Sequence, residues 1–563
     1  MKNHLLLTIA AVTLATAILN AQERYRDQIF SDSEITLTND VVYGNNIRFI
    51  PPVDFTTQAA GEDVLELQGI AEAGGEYPSA YFDLNDENTT VKLRAMTMDV
   101  YEPDQLIDDV EERPVVIYLH TGNFLPPPTN GSPNGTKTDS LAVATCMDYA
   151  KRGFVAVSVS YRLGWNPIGN EFERRGTLLN AVYRAIQDTR ESIRFMREDA
   201  NEGANQFAID SDKIVLFGEG SGGYVALGAA TVDNLPDEIS VPKFLNPLTG
   251  TSYVDPAIVG NEQGFNGQLT LYRDNGQSSD IQMTINLGGA LGDISWLEDG
   301  DAPMVSFHAI RDDFAPFDDG TVIVPTTQED VVEVSGANVF IQTANDFGNN
   351  DVFSDIPNGD PYTDKARSFY GTGPYEQSLA AEVTISSTPE GLYPILQPLR
   401  PYLENISAPW QWWDPNSAVA MTVVGEVGGM PITAHQSSLQ SNPNMSPELG
   451  RTYLDTIQGY AVPRIMCALD LEGAICTTTN TDDVVYENST SVYPNPTQGE
   501  LTIRNDEHVI RRVELMDITG RVVMNKVVNA GIYTINRTDF SNGVYLMRVV
   551  FDDNQITKKV LFN

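Results

Sequence analysis

The stretch KIVLFGEGSGGYVALGAA, Lys213 to Ala230, decides how the chain is read. Lys213 to Phe217 is a short run of β-branched and large apolar residues, the composition of a strand buried on both faces. Gly218, Gly220, Gly222 and Gly223 follow, and then a run of small and apolar residues of helical length. Strand, glycine-rich turn and helix is the expectation. Glycines this dense mean a backbone that folds back on itself, with neighbours too close to admit a Cβ.

The same alternation continues on both sides. RPVVIYLH (Arg113 to His120) and GFVAVSVSYR (Gly153 to Arg162) are further apolar strand runs, with DSLAVATCMDYAKR at helical spacing between them. TLLNAVYRAIQDTRESIRFMREDA (Thr177 to Ala200) is a long amphipathic helix leading into KIVLFG. IQMTINLGGA and APMVSFHAI read as two later strands, and SPELGRTYLDTIQGYAVPRIMCAL as a closing helix capped by Ser446 with Pro447 in its first turn. From about Asp40 to Leu471 this pattern predicts an α/β fold, a mostly parallel sheet flanked by helices.

The chain has 563 residues, enough for more than one domain. Its 77 acidic and 35 basic residues give a formal charge of −42, which repels phosphate backbones and argues against nucleic-acid binding. MKNHLLLTIAAVTLATAILNAQ places Lys2 ahead of a short apolar run and small residues, the pattern of a signal peptide cleaved after Ala21. No later apolar run reaches about 18 residues, so the mature chain is expected to lack a transmembrane segment. Three cysteines allow one disulfide; Cys467 and Cys476 are spaced to close a small loop, and Cys146 sits in an apolar helical pattern. The absence of a Cys-x-x-Cys motif or a Cys/His cluster leaves no sequence case for zinc or thiol redox chemistry, and no cofactor site is expected.

After Cys476 the composition changes to the polar linker TTTNTDDVVYENST, and Ser491 to Asn563 is a series of short alternating strands with turn signals, a small β-sandwich. In it VYPNPTQGELTI, VELMDITGRVV, NGVYLMRV and the terminal KKVLF occur in order. They resemble the type A C-terminal sorting domain of the type IX, or Por, secretion system. The resemblance implies passage through the periplasm and outer membrane to the cell surface or medium, with the secretion machinery as partner. The expected organisation is a signal peptide at 1–21, an α/β domain at 22–475, a linker at 476–490 and a sorting domain at 491–563.

LRAMTMDVYEPDQ before RPVVIYLHTGNF, then VSVSYRLG, then AVYRAIQDTRESIRFMRE, then LFGEGSGGYVAL, together resemble the carboxylesterase branch of the α/β-hydrolase fold. In that family the nucleophilic serine sits on a strained turn between small residues, in the pattern Gly-Glu-Ser-Ala-Gly-Gly. Alignment on Gly218, Gly222 and Gly223 places Gly220 at the nucleophile position and Ser221 one residue later. Making Ser221 the nucleophile requires the long side chain of Glu219 in the tight preceding position. The resemblance also implies Asp312, with Asp313 beside it in DAPMVSFHAIRDDFAPF, as the acid, and oxyanion donors from Gly122 and Asn123 in His120-Thr121-Gly122-Asn123-Phe124. His308 reads as structural. The family's base follows the last sheet strand, for which EGLYPILQP is the candidate, yet LRPYLENISAPWQWW beyond it holds no histidine. With His4 in the signal peptide, His508 in the tail and His120 in the oxyanion segment, His435 is the base candidate. NFLPPPTNGSPNGTKT is expected on the rim, and PWQWWDP (Pro409 to Pro415) as core packing or an apolar or sugar-stacking surface.

Two functions share this fold. One is a secreted carboxylic-ester hydrolase using Ser221, Asp312 and His435 on a small ester. The other is a pseudoenzyme, a binding or adhesion protein for a surface ligand in which Gly220 replaces the nucleophile. The geometry of the turn discriminates between them.

Overall fold

The structure, a computed structural model, describes residues 23–563 except 236, 313, 324–328, 378–380, 388–389, 398–405, 477–488, 498, 506–507, 518–520 and 552–554. The expected signal peptide, most of the linker, and Asp313 lie outside the described residues. The chain divides into two compact units, Met1–Cys476 and Thr477–Asn563.

The first unit is built on an eight-stranded sheet: β1 (Ile35–Ile47), β2 (Leu93–Pro103), β3 (Arg113–Leu119), β4 (Val155–Val159), β5 (Ile209–Glu219), β6 (Met283–Leu287), β7 (Met304–Ala309) and β8 (Leu392–Ile395). Their spatial order is β1-β2-β4-β3-β5-β6-β7-β8. β2 runs antiparallel to β1 and β4, and every pair from β4 to β8 is parallel. This is the α/β-hydrolase arrangement. β3, β4, β6 and β7 are buried along their whole length, which is why they read as predominantly apolar runs, with Ser158, Thr284, Asn286, Ser306 and His308 among the buried polar exceptions. Alternate residues serve two cores: Val115, Ile117 and Leu119 pack on one face, Val116 and Tyr118 on the other.

The helices that matter for the site are α1 (Ser140–Lys151), α2 (Glu171–Asn201), α3 (Ser221–Thr231), α4 (Ala337–Phe347) and α5 (Pro447–Ala468). α2 begins well before Thr177: the Asn170 side chain accepts hydrogen bonds from the amides of Phe172 and Glu173, and Glu171 and Glu173 lie favourably at the positive end of the dipole. α5 is capped by Ser446, whose hydroxyl accepts from the Leu449 amide at 3.1 Å. Cys467 near its end is disulfide-bonded to Cys476, and Cys146 is a buried free thiol. A hairpin of Gly320–Ile323 and Asp330–Val334 lies outside the main sheet.

The second unit has a three-stranded sheet (Thr490–Tyr493, Glu500–Asn505, Ile532–Asn536) and a four-stranded one (Ile510–Asp517, Val522–Ala530, Gly543–Val550, Gln555–Phe562). Leu501, Ile503 and Ile535 from the first share one core with Val513, Leu515, Met547 and Val560 from the second. It is a small β-sandwich.

Candidate functional site

At the end of β5 the chain turns through Gly220, with φ 54° and ψ −116°, and α3 begins at Ser221. A residue with a Cβ occupies that conformation only under strain, whereas glycine adopts it freely. A Cβ on Gly220 would collide with the Thr121 hydroxyl and lie 3.2 Å from Thr121 Cβ. The flanking glycines answer to packing. A Cβ on Gly218 would meet the Gly222 carbonyl, one on Gly222 the Leu119 carbonyl, and one on Gly223 the Asn286 side chain. The turn is an elbow with glycine at its apex.

Ser221 is buried, and its hydroxyl is engaged. Oγ accepts a hydrogen bond from the Asn123 amide at 3.1 Å and lies 3.3 Å from Tyr161 Oη. Tyr161 gives its own proton to the His120 carbonyl at 2.6 Å, so Ser221 is the donor in the Ser–Tyr bond. Burial raises the Tyr161 phenol further above its already high ordinary value, so it takes no proton from serine at neutral pH. The Asn123 amide, expected to point at an oxyanion, is used by Ser221 instead.

The oxyanion segment keeps an unusual backbone: Gly122, Asn123 and Phe124 have φ of 125°, 53° and 57°. Trp165 Nε1 braces it by donating to the Asn123 carbonyl at 2.7 Å. His120 donates from Nδ1 to the Thr121 carbonyl at 2.6 Å and stacks on Tyr161 at 4.5 Å. Burial lowers its pKa to about 4, so the ring is neutral.

Glu219, the residue that a serine at 221 would have found awkward, points into the protein. Its carboxylate accepts from Tyr118 Oη at 2.7 Å and Gln411 Nε2 at 2.6 Å, while burial raises its pKa. Gln411 also accepts from Asn134 Nδ2 at 3.3 Å, and its carbonyl accepts from Asn442 at 2.9 Å. Behind the elbow, Asp139 accepts from the amides of Gly135 and Thr136 at 2.6 and 3.1 Å. Burial, with the charge of Glu219 added, raises the Asp139 carboxyl to about 7.

The elbow opens onto a cavity of ≈ 150 Å³. Its walls are mostly apolar: Leu178, Leu179 and Val182 from α2, Val331, Val332 and Val334 from the hairpin, and Phe244, Trp165 and Trp296. Gly220, Ser221 and Asp312 all line it. Asp312 follows β7, and its Oδ1 accepts from the amides of Phe314 and Ala315 at 2.8 and 3.0 Å.

His435 is not among the lining residues. It sits on the short helix Ala434–Ser438, where its Nδ1 accepts from Trp413 Nε1 at 3.1 Å. His308 is buried in β7 and donates from Nε2 to the Ala315 carbonyl at 2.7 Å, with its pKa lowered to about 4 by burial. Among the described residues lining the cavity there is no histidine, and the segment that follows β8 contributes Ser407, Ala408, Trp410 and Gln411. Trp410, Trp412 and Trp413 are all buried, and Trp410 is in addition a cavity wall. The sequence drew attention to this tryptophan cluster but gave no sign that Gln411 would hold Glu219.

Residues 98–284 match the BD-FAE family model, that of an esterase-like α/β-hydrolase, and residues 491–563 match the secretion system C-terminal sorting domain. The first unit has the α/β-hydrolase fold, and its residues 98–284 are similar to that family. The second carries the address by which the type IX system sends a protein to the cell surface or beyond. No curated protein matches the chain. Solved structures similar to it include a thermophilic esterase of the Planctomycetes species Thermogutta terrifontis bound to propionate, at 17% identity over 42% of this chain and 72% of that one, with a TM-score of 0.26. The same esterase phosphorylated by paraoxon matches at 18% identity over 42% and 71% of the two chains, with a TM-score of 0.26. Its butyrate-bound form matches at 16% identity over 44% and 77%, also with a TM-score of 0.26. Among the described residues no helix is long and apolar enough to cross a membrane, and no group of His, Cys, Asp and Glu could hold a metal ion.

Proposed function

We propose that this is an exported binding protein built on an esterase-like fold, which holds a small apolar ligand in the cavity above the elbow and does not carry out covalent ester hydrolysis. The observation that carries the reading is Gly220 at the apex, where an acyl-transfer enzyme needs its attacking oxygen. Ser221 does not substitute for it in this account. Its proton is directed at a phenol and its lone pair is taken by the Asn123 amide. A triad acts as a unit, and Asp312 without an imidazole between it and a hydroxyl orients nothing.

The cavity supports the binding half of the reading. An apolar space of ≈ 150 Å³ suits a benzene-sized or short acyl group. Burying about 200 Å² of apolar ligand surface at about 25 cal/mol/Å² is worth about 5 kcal/mol before the cost of association, which places affinity in a modest range.

The test is titration of the full chain with 4-nitrophenyl butyrate, following tryptophan fluorescence and nitrophenolate together. Trp165, Trp296 and Trp410 line the cavity and report occupancy. Saturable quenching without nitrophenolate release is expected, with binding weakened by Val182→Phe and by Leu178→Phe. Nitrophenolate release that disappears in Ser221→Ala would restore the Ser221, Asp312 and His435 hydrolase.

A further inference from the structure

A second cavity, of ≈ 60 Å³, lies where the end of β1, the start of β2 and the segment after β4 meet. Three arginines line it, Arg48, Arg94 and Arg162, with Phe49, Ile50, Pro126 and Leu163 completing the walls. This is unexpected in a chain with 77 acidic and 35 basic residues, where carboxylates are easy to recruit. Arg24 and Arg113 share Asp108, and Arg367 and Arg464 share Glu390.

Arg48 and Arg94 recruit none: among the described residues neither has a carboxylate within ion-pair distance. Two other arginines without carboxylates, Arg190 and Arg197, are capped by backbone carbonyls. Arg190 donates to the carbonyls of Ala229, Val232 and Glu262, and Arg197 to those of Ser211, Ser278 and Asp280. Among the described residues Arg48, by contrast, donates only to the Ile50 carbonyl, and Arg94 makes a single long bond of 3.4 Å to the Tyr161 carbonyl. Each guanidinium carries five donors, so most are left for something else.

Arg162 adds a buried wall. Its Nε donates to Asp188 at 2.8 Å, which neutralises it, but its Nη1 is buried without a partner. Two uncompensated positive charges therefore face a small cavity beside an orphaned guanidinium nitrogen. The charges also feel one another: burial and then the neighbouring Arg94 lower the Arg48 pKa. Arg184, whose guanidinium lies 3.8 Å from the centre of the Phe49 ring, is lowered to about 9 by burial and Arg162. Like charges gathered at the edge of a low-dielectric region are costly unless an anion joins them.

We propose that Arg48, Arg94 and Arg162 form a binding site for a sulfate or phosphate group, distinct from the apolar cavity. Guanidinium N–H groups converging from three elements match a tetrahedral oxyanion, to which arginine donates in pairs. The volume is room for a group of a few heavy atoms, since about 10–15 Å³ of such space holds one water molecule.

The experiment is thermal unfolding and calorimetric titration of the full chain with inorganic sulfate, inorganic phosphate or acetate, at low millimolar concentration and with ionic strength held constant by chloride. Low concentration matters because sulfate at high concentration stabilises proteins in general by exclusion from their surfaces. Sulfate or phosphate should bind saturably and raise the melting temperature, and comparison of the two arms shows which the site prefers. Arg48→Gln and Arg94→Gln should each weaken binding at least tenfold, and the double variant should abolish the anion-dependent shift. In chloride alone the double variant should melt no lower than the wild type, because a like-charge contact has been removed. A shift that persists in the double variant, tighter binding of acetate than of either tetrahedral anion, or a double variant that melts lower in chloride would overturn the assignment.

Discussion

Replacing Gly220 with serine puts a hydroxyl back at the elbow apex and separates a lesion at one residue from the loss of a whole mechanism. The backbone at φ 54°, ψ −116° is one that a residue with a Cβ occupies only under strain, at a cost of about 1–3 kcal/mol. The new Cβ also collides with the Thr121 hydroxyl, and forcing that side chain off its rotamer adds about 1 kcal/mol. Together these give about 2–4 kcal/mol of destabilisation. With an unfolding entropy of about 2.1 cal/mol/K per residue, a unit of this size loses about 1 °C for each kcal/mol, so the melting temperature should fall by about 2–4 °C. Thr121→Gly in the Gly220→Ser background should return the steric part and leave the backbone part.

Activity should not appear. The restored serine would have no imidazole within the cavity walls, and an unactivated hydroxyl is a weak nucleophile at neutral pH. The assay is turnover of 4-nitrophenyl acetate and butyrate by the full chain, wild type against Gly220→Ser and the Thr121→Gly double variant. A gain of more than about a thousandfold, lost again on His435→Ala or Asp312→Asn, would refute the reasoning and show a base already in reach.

Ser221→Ala should cost about 1–3 kcal/mol of stability, because the Asn123 amide loses its acceptor, and should leave any background ester cleavage unchanged; a loss of cleavage would point to a working nucleophile. The folded-state pKa of Asp139 is raised to about 7, so the folded chain keeps a proton that the unfolded chain releases above the ordinary value of 3.8, and the stability from this group is lost as pH rises through about 7. Between pH 5 and 8 the wild type should therefore lose about 3 kcal/mol more stability than Asp139→Asn in denaturant melts, nearly all of it below pH 7, and equal pH dependence would contradict the raised value. Removal of residues 477–563 should leave the melting temperature of the first unit within about 1 °C while export to the medium stops; a broadened or lowered transition would show that the first unit depends on the second.

Much of the fold was legible because burial leaves a composition signature. β3, β4, β6 and β7 are enclosed on both faces and are predominantly apolar, most clearly β3 and β4. The elbow was legible for a related reason: Gly218, Gly222 and Gly223 are each required by a neighbouring backbone or side chain, so their register fixes which residue comes between. The start of α2 was not legible, because its first turn is solvent-facing and charged and the apolar face begins only near Leu178. Nor was the bond from Gln411 to Glu219, which joins residues 192 positions apart through side chains that carry no pattern. The hairpin wall of the cavity and the meeting of Arg48, Arg94 and Arg162 are likewise products of tertiary packing. Local periodicity reports what a segment buries and says nothing of which distant partner buries it.

A fluorophosphonate tests directly whether the chain holds an activated serine, because it phosphonylates a serine hydroxyl only where a base and an oxyanion hole act on it. The full chain, incubated with an excess of the reagent and weighed intact by mass spectrometry, should keep its unmodified mass, with Gly220 at the apex and the Ser221 hydroxyl held between Asn123 and Tyr161. A single stoichiometric adduct that maps to Ser221 would contradict the absence of an activated serine.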